Sequence, residues 1–125
     1  RDMGGRSDWL SALQDRRLGK ALLSMHKSPG ERWTIEKLAQ LAGMSRTTFA
    51  EKFKAHIGQA PLQYLTEWRM AVAKSQLETS RNSILEIALD LGYQSEAAFS
   101  RAYKKTMGCT PGTSRKIDRG VRVEG

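Results

Sequence analysis

One cysteine, three prolines and an aromatic content of only 7% remove several classes of protein at the outset. Cys109 alone cannot close an internal disulfide, so a disulfide-stapled scaffold is excluded and a reducing compartment, the cytoplasm, is the expected address. No apolar run approaches the roughly 20 residues that a spanning helix needs, so no membrane role is expected. The polar, Gly-rich start from Arg1 to Asp8 also lacks the hydrophobic stretch of a secretion signal. His26 and His56 stand apart from Cys109 and from paired carboxylates at metal-ligand spacing, and no Gly-rich phosphate loop follows a strand. Neither an enzyme nor a metal or cofactor site is therefore expected. Acidic residues are scarce as well: 13 Asp and Glu face 21 Lys and Arg, a formal charge of +8 that points to a polyanion. More than half of that excess lies between Phe99 and Gly125, although a solvated basic surface would account for charge alone equally well.

Alternating β-branched runs are missing too, and apolar residues recur at helical spacing almost throughout, so the fold expected is all-α. A first helix is expected from about Ser11 to His26, with Leu13, Leu18, Leu22 and Met25 in its core face, stopped by Ser28-Pro29-Gly30. Thr34 can cap a short helix with Ile35, Leu38, Ala39 and Ala42 on one face, ended by Gly43. Ser45 can cap a longer one carrying Phe49, Phe53 and Ile57, closed at Gly58. Pro61 then opens a helix over Leu62 to Thr79, as proline suits a first helical turn.

The plan then repeats. Ser83-Ile84-Leu85-Glu86 has the form of a capping box, and Ile84, Ile87, Ala88 and Leu91 reproduce the earlier apolar face before Gly92. Ser95 opens a helix with Phe99, Tyr103 and Met107, ending at Gly108 ahead of Pro111. The short helices match at an offset of 49 and the longer ones at 50, so the second turn has gained one residue. Two copies of one supersecondary unit explain the pattern, with the insertion placed where a connecting loop tolerates it.

A short helix, a tight turn opening with Gly and a longer helix with polar residues opposite an apolar stripe is the layout of a helix-turn-helix. In such a unit the second helix enters the major groove of DNA with its N-terminal half. The outer faces there are Arg46, Thr47, Ala50 and Glu51 in one copy and Glu96, Ala97, Ser100 and Arg101 in the other, and these are the candidate base-reading residues. Arg101 suits guanine through its fork, the alternative being a phosphate contact or a surface ion pair. Glu51 could accept from cytosine or form an ion pair with Lys52 or Lys54, while Ala50 and Ala97 offer only apolar contact. Candidate phosphate contacts are Lys52, Lys54, Lys104, Lys105 and Arg115, with the helix N-termini at Thr34, Ser45, Ser83 and Ser95. Phe49, Phe53, Phe99, Tyr103, Trp33 and Trp68 fall on inward faces and are expected in the core.

The second copy resembles the signature of the AraC-type (AraC/XylS) transcriptional regulators: Gly92-Tyr93, Ser95, Phe99, Arg101, Tyr103-Lys104, Gly108 and Thr110-Pro111. "YLTEWRMAVAKSQL", residues 64–77, is similar to the family's linker helix, while Gln76 and Ser114 depart from its usual leucine and tyrosine. The resemblance covers about Asp15 to Arg115. It implies homeodomain-like three-helix units, transcriptional activation and contact with RNA polymerase. "DWLSALQDRRLGKALLSMH", residues 8–26, is similar to the stretch that follows a cupin-type sensory domain in one branch. With Arg rather than Met in first place, a C-terminal fragment of a longer regulator is expected, any small-molecule effector acting through the missing N-terminal domain.

The expected division is an N-terminal extension over 1–14, a first helix-turn-helix subdomain over 15–61, a linker helix over 62–79, a second subdomain over 80–115 and a basic flexible tail over 116–125. A linker of about 18 residues is about 27 Å long, commensurate with the roughly 34 Å between successive major grooves. One monomer would then read an asymmetric site on double-stranded DNA. The rival readings are a nonspecific or RNA-binding basic helical protein, which the short polar faces oppose, and a helical protein-interaction module, which the charge opposes.

Overall fold

The computed structural model describes residues 15–116, and every regular element among them is a helix. In chain order these are α1 (Arg16–Lys27), α2 (Ile35–Ala42), α3 (Arg46–Ile57), α4 (Pro61–Thr79), α5 (Ile84–Asp90), α6 (Glu96–Met107) and α7 (Pro111–Lys116). The chain divides into two compact units whose boundary falls inside α4, between Thr66 and Glu67.

In the first unit α1 starts later than expected. The Asp15 carboxylate accepts from the backbone N–H of Arg17 at 3.0 Å and of Leu18 at 3.2 Å, and this cap fixes the helix start at Arg16. The expected turn from Ser11, with Leu13 in the core, lies outside the described residues. Thr34 and Ser45 cap α2 and α3 as expected, accepting from Lys37 and Thr48, each at 3.1 Å. Gly43 ends α2 at φ +67°, a left-handed conformation that a Cβ would strain, and the chain turns there into α3. Leu18, Ala21, Leu22, Met25, Leu38, Ala39, Ala42, Phe49, Phe53 and Leu65 form its core. Each large side chain buried there contributes about 1.5–3 kcal/mol, which is how three short helices hold together.

The second unit is built alike from the later part of α4 with α5 and α6. Met70, Ala73 and Leu77 repeat the spacing of Leu18, Ala21 and Met25, and they meet Ile87, Ala88, Leu91, Phe99 and Tyr103 in a separate core. The capping box forms in full: Glu86 N–H donates to Ser83 Oγ at 3.0 Å and Ser83 N–H to Glu86 Oε1 at 2.7 Å. Two aromatic expectations change. Trp33 is half-buried at the edge of the first core, its indole N–H donating to the Ser28 carbonyl at 2.9 Å, and Trp68 is only half-buried on α4. A ring with a polar edge settles where that edge has a partner, which draws Trp33 to the rim.

Beyond Gly108, where the sequence leads to no expected helix, α7 forms. Thr110 Oγ1 accepts from Thr113 N–H at 3.1 Å and Pro111 takes the first helical position. Pro111 is the repeat of Pro61, so α7 corresponds to the first turn of α4. Lys116, assigned to a flexible tail, is the last residue of this helix, and residues 117–125 lie outside the described ones, as does the 1–14 extension.

Candidate nucleic-acid interface

Each longer helix keeps its aromatic residues inside and its polar residues out. On α3, Phe49 and Phe53 are buried while Arg46, Thr47 and Glu51 are exposed and Ala50 half-exposed. On α6, Phe99 and Tyr103 are buried while Glu96, Ala97 and Arg101 are exposed and Ser100 half-exposed. The eight residues read from the sequence as base-facing therefore form two accessible faces, each opposite its own core. Arg46, Thr47 and Ala50 also line one surface groove together with Ile35 of α2.

Ionic contacts refine these faces. Arg46 Nη1 lies 3.3 Å from Glu36 Oε2, an ion pair across the helix-turn-helix with both side chains more than half exposed. Such a pair contributes about 1 kcal/mol at most, so a stronger acceptor can displace it. The ion pair with Lys52 or Lys54, one of the two readings of Glu51, is not formed among the described residues. Glu51 lies on the exposed side of α3.

Lys54, Lys104 and Lys105 are exposed and Lys52 half-exposed, beyond the first turns of α3 and α6. Arg115, also a candidate phosphate contact, is held within its own unit. Its Nε donates to the Leu77 carbonyl at 3.1 Å and its Nη2 to the Ser80 carbonyl at 3.3 Å, closing the C-terminal end of α4. The last carbonyls of a helix lack internal partners and carry partial negative charge, so a half-buried guanidinium within reach satisfies them.

The cap residues Thr34, Ser45, Ser83 and Ser95 each accept from a backbone N–H of the following turn. They are positioning residues first: they fix where the helix N-termini point.

Ser114, where the family usually has tyrosine, is explained by its neighbour. In the first unit Tyr64 packs edge-on against Phe53 with ring centroids 5.7 Å apart and meets His26 Nε2 at 2.6 Å. In the second, the ring at the Phe53 position is Tyr103, whose hydroxyl meets Ser114 Oγ at 2.7 Å. The hydroxyl has moved from one partner to the other. Burial pushes the Tyr103 phenol above its ordinary value, with the Ser114 hydrogen bond opposing the shift. Burial likewise raises Tyr93, opposed by the Arg69 guanidinium that hydrogen-bonds it.

Comparison with known proteins agrees with this geometry. A family described as "Helix-turn-helix domain" matches residues 38–117. An AraC-like transcription regulator of Streptomyces lividans is 44% identical over 110 residues, 88% of this chain and 36% of that protein. The RCS-specific HTH-type transcriptional activator RclR of Escherichia coli (strain K12) is 39% identical over 107 residues, 86% of this chain and 38% of that protein. The chain thus spans little more than a third of these relatives. Among solved structures, the DNA-binding domain of AdpA, a global transcriptional factor crystallised with a target DNA, aligns with a TM-score of 0.79 at 33% identity, covering 86% of this chain and 96% of that one. With two capped helix-turn-helix units, the signature residues in place and these relatives, the chain belongs to the AraC-type helix-turn-helix family and comprises its DNA-binding domain.

Proposed function

We propose that this domain binds duplex DNA sequence-specifically, with α3 and α6 each entering one of two successive major grooves, and that the protein carrying it regulates transcription. The observation that carries the reading is the pair of solvent-accessible, largely polar faces on two helices whose N-termini are fixed by side-chain caps. Its likeness to the AdpA domain, which was crystallised with a target DNA, supports it. Because Arg46, Thr47, Ala50 and Glu51 differ from Glu96, Ala97, Ser100 and Arg101, a single copy would read an asymmetric site. Activation has a precedent in RclR, named a transcriptional activator; contact with RNA polymerase, in the cytoplasm, belongs to the same proposal. A small-molecule effector would act through a part of the protein outside this chain. No helix among the described residues is long and apolar enough to cross a membrane.

The test is selection of bound duplexes from a random pool, followed by titration at two salt concentrations. With about 6–10 phosphates neutralised, affinity should fall by about three to five decades between 50 and 200 mM salt. A nearly flat salt dependence would sink the reading, and enrichment only of perfect palindromes bound by two copies would sink its monomeric form.

A further inference from the structure

The residue added to the second turn can be located from hydrogen bonds. Gly43 N–H donates to the Gln40 carbonyl at 3.0 Å and Met44 N–H to the Ala39 carbonyl at 2.9 Å. Gly92 to Leu89 at 3.1 Å and Tyr93 to Ala88 at 3.0 Å are the same two bonds, 49 residues on. The cap bonds that follow, Thr48 N–H to Ser45 Oγ and Ala98 N–H to Ser95 Oγ, are 50 apart. Gln94 is therefore the inserted residue, and nothing in the first unit corresponds to it.

Its neighbours hold it in place. Tyr93 packs on Phe99 with ring centroids 5.6 Å apart and accepts a hydrogen bond from Arg69 of α4. On the other side Ser95 is held as the cap of α6. Gln94 itself is exposed, between two anchored residues and one residue ahead of the first turn of α6, the turn that carries Glu96 and Ala97. A side chain on a pinned backbone gives up less freedom when it makes a contact than one on a loose loop. Its amide carries the donor and acceptor that together match the N7 and N6 edge of adenine in the major groove.

We propose that Gln94 is a base-reading residue of the second unit, recognising adenine at a position the first unit has no side chain to read. This rests on the DNA-binding reading above. The experiment compares the wild-type chain with Gln94→Ala and Gln94→Glu against the selected duplex, its single-base variants and a random duplex. Gln94→Ala should lose about tenfold or more on the selected duplex and lose the preference for adenine at one position only. Gln94→Glu should move that preference to cytosine, whose N4 amino group a carboxylate accepts from; this ranking of bases is independent of any overall loss of affinity. Unchanged rankings in both variants, or equal weakening on selected and random duplexes, would overturn the inference alone. A wild-type chain with no preference among duplexes would overturn the DNA-binding reading and the inference with it.

Discussion

The two units keep the same inside and different outsides. Phe49 and Phe53 in the first correspond to Phe99 and Tyr103 in the second, one helical turn apart and fully buried, and both turns open on a left-handed glycine, Gly43 or Gly92. Outside, the first residue of the recognition helix is Arg46 in one unit and Glu96 in the other, and Glu51 is answered by Arg101. The first helix of each pair differs as well: Glu36 and Gln40 occupy the positions where Leu85 and Leu89 are 44% and 52% exposed. Packing constrains the shape of a buried residue strictly, whereas a solvent-facing position is free to follow whatever it must recognise. The scaffold is shared and the reader is not.

The largest effect should come from testing whether the two cores are alike and independent. Phe99→Ala and Phe49→Ala each leave a cavity in a fully buried site and should each destabilise their own unit by about 3–5 kcal/mol. Because the cores share no residue, amide-exchange protection should fall in α5 and α6 for Phe99→Ala and in α1 to α3 for Phe49→Ala. A uniform loss of protection across both units in either variant would break the comparison.

The next effect concerns the outsides. Arg101 sits in the N-terminal half of α6 and Lys104 a turn further on, both exposed. Arg101→Ala should cost about 1–3 kcal/mol on the preferred site and relax preference at one base pair. Lys104→Ala should weaken preferred and random duplexes alike and reduce the salt slope by about one. Titrating both variants against single-base variants of the selected duplex decides the point, and the reverse pattern would mean that the groove-facing side of α6 has been misassigned.

Local signals were legible in the sequence and long-range ones were not. Thr34, Ser45, Ser83 and Ser95 act within three residues of where they stand, so chain order alone located six of the seven helices and both turns. The start of α1 is hidden in the sequence because apolar residues continue in helical register upstream of Asp15, and only the cap marks the boundary. The Pro61–Pro111 repeat carried the signal for α7, but Gly112 and Thr113 are weak helix formers and obscured it. Arg115 reaches a carbonyl 38 residues away and His26 meets a hydroxyl 38 residues away, and neither pairing leaves a trace in local spacing. On the candidate site, the exposed faces of α3 and α6 followed from helical periodicity, whereas the Arg46–Glu36 pair and the pinning of Gln94 depend on how two helices meet.

The smallest effect is a pH dependence confined to one unit. His26 is half-buried in the first unit, its Nε2 2.6 Å from the Tyr64 hydroxyl and its ring 5.7 Å from the Tyr64 ring. Burial disfavours the imidazolium and holds the folded-state value below 6.5. The unfolded chain then binds more protons than the folded one over the window below 6.5, so stability must fall as pH falls there. The contribution of His26 is fully present above about 6.5, declines as acid titrates the unfolded chain, and levels off below the folded-state value. The second unit has no histidine in or around its core, so its stability should change less across the same window. Amide exchange at pH 7.5 and 5.5 would show protection falling more in α1 and α2 than in α5 and α6. Replacing His26 by Gln should remove that difference while keeping a polar group near Tyr64. His56 is common to both proteins, so the contrast between them reports His26 alone. Equal slopes in the two units of the wild-type chain, or a first unit that gains protection on acidification, would show that the His26–Tyr64 contact stabilises the imidazolium rather than excluding it.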